Sequence, residues 1–200
     1  MNKAFEDRLS ERQAFEALLI ESAELALRGS AEATSGDETN IAVALPSLAT
    51  LKARVAGALA SYLEASGERL QVDVPISTLV SGGAEGLDAS GAVDIVTYDA
   101  ASETPVRLIQ LLKAPTNALF ETSLKLSLLR GALRGNLPDA FELLFTDGHT
   151  TEQAANEVLG DLVQTSMQGF EASRVIRFRD PSAQNDMFVG LTVARVLHAD

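Results

Sequence analysis

Apolar positions recur along this chain with two periods, and each change of period marks an element. From Lys3 to Arg28, Phe5, Leu9, Phe15, Leu18, Leu19, Leu25 and Leu27 fall on one broad helical face with charges between them. Gly29 suits the end of that helix, and GSAEATSGDETN follows as a flexible acidic connector. Pro46 and Ser47 announce a second helix, in which Leu48, Leu51, Val55, Leu59, Tyr62 and Leu63 repeat at three and four until Gly67. The period then drops to two. LQVDVPIST, 70–78, alternates as a half-buried strand does, with Pro75 marking an edge or a bend. SGGAEGLDASG is glycine-rich but lacks the Lys-Ser or Lys-Thr of a phosphate-binding loop, and it reads as a mobile loop.

Residues 92–98 and 106–113 read as two buried strands of an antiparallel hairpin around DAASETP. A helix over 117–134 follows, with Leu119, Phe120, Leu124, Leu128, Leu129 and Leu133 on one face, and then a short buried strand, FELLF, at 141–145. Thr150 and Gln153 form a capping box for a helix reaching about residue 168, with Val158, Leu159, Leu162 and Val163 as its stripe. RVIRFR at 174–179 reads as a strand, while 187–197 is apolar with no clean period and fits a strand or a helix. The order predicts an α/β (α+β) fold: a central mixed sheet of about five to six strands flanked by helices. Its expected divisions are an N-terminal helix at 1–29, the acidic linker at 30–45 and one α/β domain at 46–200.

Composition narrows the chemistry. Lys and Arg number 16 against 28 Asp and Glu, a formal charge of −12 that disfavours nonspecific attraction to phosphate backbones. With no cysteine, thiolate ligands, disulfides and a cysteine nucleophile are excluded. Aromatics make up 5% and Trp is absent, so a stacking platform for single strands would have few rings. The acidic N-terminus lacks the apolar core of a signal peptide, and no apolar run is long enough to span a bilayer. The expected setting is cytoplasmic, or inside an assembled particle, with no membrane partner. His149, near Asp147, and His198 are isolated and make no metal-ligand spacing.

One region runs against the acidic balance. Arg107, Lys113, Lys125, Arg130 and Arg134 share the stretch 106–135 with a single acid, Glu121. Arg174, Arg177 and Arg179 form a second cluster, with Arg177 and Arg179 on one side of their strand. Arg107, Lys125, Arg130, Arg134, Arg177 and Arg179 are therefore the candidate partner-binding residues, for an acidic protein or a nucleic acid, against the alternative that they are internal counterions to the acidic helices.

A helix, three antiparallel strands, a helix and a further strand is an order that resembles the PD-(D/E)XK nuclease-like superfamily over residues 46–145. In that family an Asp begins the second strand, and the third carries an acid followed two residues later by Lys. Residues two apart on a strand share a face, so the acid holds Mg²⁺ while Lys approaches the scissile phosphate. GAVDIVTYD is similar to the second strand and LIQLLKA to the third, which makes Asp94 the implied metal ligand and Lys113 the implied catalytic Lys. Leu111 stands where the acid belongs. Gln110 is the nearest polar candidate, but in a regular strand it faces away from Lys113 and joins the site only through a β-bulge. Glu64 and Glu68 are candidates for the helix carboxylate that some members use. The resemblance leaves three functions open: a non-catalytic binding or assembly protein with no cofactor, acting with a protein partner or as a homo-oligomer; a Mg²⁺-dependent nuclease using Asp94, Gln110 and Lys113; or a component of a phage neck or tail joint. Leu111 favours the first.

Overall fold

In a computed structural model, Ser47 starts the helix against which much of the core is laid. The structure describes residues 3–28, 46–80, 90–113, 119–133, 138–146, 170–178 and 187–194. Ser47 Oγ accepts the Thr50 N–H at 3.1 Å, which satisfies an end donor of helix α2 (Leu48–Ser66). At the other end Gly67, at φ 75°, takes the left-handed conformation and turns its N–H back to Glu64 and Leu63. Between these caps Leu51, Val55, Leu59 and Leu63 are buried as the three-and-four spacing predicts, whereas Tyr62 is 48% exposed.

Helix α1 (Lys3–Arg28) has the predicted extent, and it is built into the core beside α2. Phe15, Leu19, Ala23 and Leu27 share one apolar cluster with Leu51, Val55 and Leu59 of α2, and Arg54 Nη1 donates to the Ala26 carbonyl at 2.9 Å. Phe15 also stacks obliquely on Phe141, with ring centroids 5.3 Å apart. Leu25 departs from the predicted face and is exposed. The proposed linker at 30–45 and the glycine-rich stretch at 81–89 lie outside the described residues.

Strand β1 (Glu68–Pro75) stops at Pro75 and passes into a single helical turn, α3 (Ile76–Leu79), so the strand expected to reach residue 78 ends early. Strands β2 (Ala92–Asp99) and β3 (Pro105–Lys113) form the predicted hairpin. Asp99 holds its turn by accepting the N–H groups of Ala101 and Ser102 and the Ser102 hydroxyl, and these bonds, the Ser102 N–H foremost, keep its carboxyl below the usual range. Helix α4 (Leu119–Ala132) then carries the chain over to β4 (Asp139–Thr146), which lies parallel to β3 with Leu111 beside Leu143.

The four strands β1-β2-β3-β4 make a mixed sheet in an α+β fold, antiparallel except between β3 and β4. Strands β6 (Met187–Ala194) and β5 (Phe170–Phe178) continue it beyond β4 in the order β4-β6-β5, so the described part of the ambiguous 187–197 stretch, residues 187–194, is a strand. The capping-box helix over 150–168 lies outside the described residues. Ile95, Ile109, Leu111, Phe141, Leu143 and Phe145 pack towards α1 and α2, while Val96, Leu108 and Ala140 pack with Leu126 and Leu129 of α4 on the other side. Both faces of β2 and β3 are thus covered, the arrangement that near-continuous apolar runs indicate. No described helix is long and apolar enough to cross a membrane.

Candidate functional site

The only charged residue of β2 inside its buried run is Asp94, 8% exposed. The β2–β3 pairing runs from Tyr98/Pro105 to Ile95/Ile109, and one residue further on the Asp94 carboxylate takes over from the backbone ladder. Its Oδ2 accepts the Leu111 backbone N–H at 2.9 Å and the Gln110 side-chain amide, and its Oδ1 accepts Lys52 Nζ at 3.1 Å. Lys52 comes from α2 and is also paired with Asp73 of β1. Register explains the convergence: Val72 lies opposite Ile95 and Val74 opposite Val93, which sets Asp73 level with Asp94 on the neighbouring strand. Asp73 itself departs from strand geometry at φ 55°.

Desolvation is the largest single influence on Lys52 and works against its charge. The hydrogen bonds and charges of Asp73 and Asp94 together outweigh it and raise its pKa above the ordinary lysine value. The Asp94 link dominates structurally, because Lys52 and Asp94 side chains are 16% and 11% exposed whereas Asp73 is 62% exposed and strongly screened. A folded-state pKa raised above the unfolded one stabilises the fold fully below about pH 10.4, the unfolded value, and that contribution is lost as pH rises through the folded pKa. Urea denaturation should therefore show a gap between wild type and Lys52→Met that is constant from about pH 7 to 9 and narrows above about pH 10.4. A gap unchanged at strongly alkaline pH would remove the ammonium from this account.

The sequence-predicted residues separate in space. Gln110 reaches Asp94 without the β-bulge expected for it, because the carboxylate sits at the point where the ladder stops. Lys113 closes β3 beside Phe145, three positions beyond Gln110, so strand alternation sets the two on opposite sides. Leu111 is fully buried in the cluster under α1 and α2. Glu68 opens β1 rather than ending a helix, and pairs with Arg107, whose guanidinium lies 4.1 Å from the centroid of the Phe15 ring. Glu64 is exposed on α2.

Of the candidate partner-binding residues, Arg107, Lys125 and Arg130 are engaged inside the fold. Arg107 is tied to Glu68 and Phe15; Lys125 Nζ donates to the Ala92 carbonyl at 3.1 Å; Arg130 is 7% exposed and its Nε donates to the Pro138 carbonyl at 2.6 Å. Arg130 therefore locks the end of α4 to the entry of β4 instead of facing a partner. Arg177 lies on β5 opposite Phe188, and Arg134, Arg179, Asp147, His149 and His198 lie outside the described residues.

Sequence reasoning missed Lys52, Asp73 and the fully buried Glu142, which is level with Gln110 on β4. One signal was present: VDV in β1 and VDI in β2 each set a single Asp between two β-branched apolar residues. Among the described residues no three or more His, Cys, Asp or Glu are grouped to hold a metal ion. The Mg²⁺ implied by the family resemblance does not fit the residues present, since Asp94 is engaged by an ammonium and two N–H donors and position 111 is apolar. The chain matches no family model, no curated protein and no solved structure.

Proposed function

We propose that this chain is a non-catalytic binding or assembly protein, built on a nuclease-like α/β scaffold whose metal-binding position has been turned to structural use. The observation that carries the reading is the Asp94 carboxylate: to ligate Mg²⁺ it would have to release Lys52, Gln110 and the Leu111 N–H, the last of which has no water to replace it at a fully buried residue. The reading draws on the order α2, β1, α3, β2, β3, α4, β4, with its parallel β3–β4 crossover. A protein partner is favoured over nucleic acid, because the chain carries a net charge of −12 while Arg107, Lys125 and Arg130 are engaged within the fold.

The test is incubation of the purified protein with plasmid, linear duplex, single-stranded DNA and RNA in Mg²⁺ or Mn²⁺. No cleavage above a buffer control is expected with any substrate. Cleavage that disappears in Asp94→Asn and in Lys113→Ala would overturn the reading and restore the nuclease.

A further inference from the structure

We propose that the outer edge of β5 captures an extended acidic segment of a partner protein as an additional strand. The inference deepens the reading above and rests on it, since it names the surface and the partner chemistry of a binding protein.

The sheet order ends in β1 on one side and β5 on the other, and the two differ as templates for a further strand. Strand β1 closes with Pro75, which has no N–H, and leaves strand geometry at Asp73. Strand β5 contains neither Pro nor Gly, so each of its nine residues brings a backbone donor as well as an acceptor. From Arg174 to Phe178 it pairs residue for residue with Leu191 back to Met187 of β6, and its one irregularity lies before this run, between Ala172 and Arg174. Successive residues of an antiparallel strand turn their N–H and C=O groups alternately to its two sides, so alternate residues of the run present theirs away from β6. Among the described residues no strand lies on that far side. Val175, Ile176 and Phe178 are strong strand formers, which keeps the run extended.

Charge selects the occupant. Strand β5 carries Arg174 and Arg177 against Glu171, a local positive excess in a chain of net charge −12. The same strand of a second copy would bring the same excess to the edge and be repelled, whereas a strand with acids at alternate positions is attracted. Two arginines offer few phosphate contacts to set against the repulsion of nucleic acid by an acidic chain. Main-chain bonds along the edge supply the affinity, and the Arg positions supply the preference for acids.

The experiment measures, by fluorescence anisotropy, binding of a labelled octapeptide of alternating Val and Glu to the full-length protein. The comparison probes are the Val-Lys counterpart and the Val-Glu peptide N-methylated either at every Val or at every Glu. The Val-Glu peptide is expected to bind at least about tenfold more tightly than the Val-Lys peptide. One N-methylated form should lose binding and the other keep it, because only alternate N–H groups of an added strand face the edge. Arg174→Glu/Arg177→Glu, checked for folding by circular dichroism, should reverse the preference to the Val-Lys peptide. Should that variant fail to fold, Arg177→Gln replaces it and is expected to weaken the preference for acids; a preference unchanged in a folded variant overturns the inference. No binding of the Val-Glu peptide by wild type at about 1 mM also overturns it, as does an equal response to the two N-methylations, which means contact through side chains alone. Release of the peptide on concentration-dependent dimerisation makes a second copy the occupant, and its displacement by single-stranded DNA makes the edge a nucleic-acid site; either result overturns the proposal. Failure of the peptide to bind leaves the non-catalytic reading standing, since the cleavage assay tests that separately.

Discussion

Leu111→Asp, which would rebuild the family's acid two residues before Lys113, is expected to unfold the protein and not to create a nuclease. Leu111 is fully buried, in one apolar cluster with Ile95, Ile109, Phe141 and Leu143. Burying a carboxylate there, together with the lost leucine packing, is expected to cost more than about 4 kcal/mol, set against a total stability of about 5 to 15 kcal/mol for an ordinary domain. Leu111→Met, which keeps the volume, should cost less than about 1.5 kcal/mol and serves as the control. Urea titration followed by circular dichroism separates the outcomes. A well-folded Leu111→Asp protein that binds Mn²⁺ would place position 111 in a ligand shell after all.

Asp94→Ala is expected to destabilise the fold by about 3 kcal/mol, the scale for removing one partner of a buried ion pair. It strips Lys52 of its less exposed counterion and leaves the Leu111 N–H without an acceptor. The sign of the change discriminates between readings. A carboxylate kept for metal binding is commonly a stability liability in the metal-free protein, so its removal would be neutral or stabilising. A carboxylate that closes a gap in a β-ladder supports the fold, and its loss should lower the urea midpoint at an unchanged denaturant slope. A midpoint at or above that of wild type would reject the structural role.

The legible parts of this fold are those with local causes. Ser47 and Gly67 bound α2 because an end-donor acceptor and a left-handed residue act within a few positions. The β2–β3 hairpin was legible because continuous apolar runs flank a polar turn. What could not be read were the long-range contacts. Phe15 and Phe141 meet from opposite ends of the described core, and nothing in the period of α1 says that its face lies against β4. Lys52 and Asp94 are 42 residues apart, and a lysine at the border of a helical apolar stripe looks like any solvated lysine. Strand alternation turns Gln110 away from Lys113 and leaves a β-bulge as its route into the site; the side chain of Asp94 instead meets it where the β2–β3 ladder ends. The basic residues were likewise legible as a cluster but not as donors to Glu68, Ala92 and Pro138, because charge counts carry no direction.

The kink at Asp73 has a bearing on how the molecule meets others. Strand β1 ends the sheet order, and its outer side is where a further strand would have to zip on. Pro75 brings no N–H to such a pairing, and Asp73, at φ 55°, breaks the even spacing of its neighbours. Lys52 pins that irregularity from α2. This margin of the sheet is consequently a poor template for fibril growth or for capture of an extended peptide, and a partner that docks on this side has to grip side chains of a surface whose hydrogen-bonding rhythm is already interrupted.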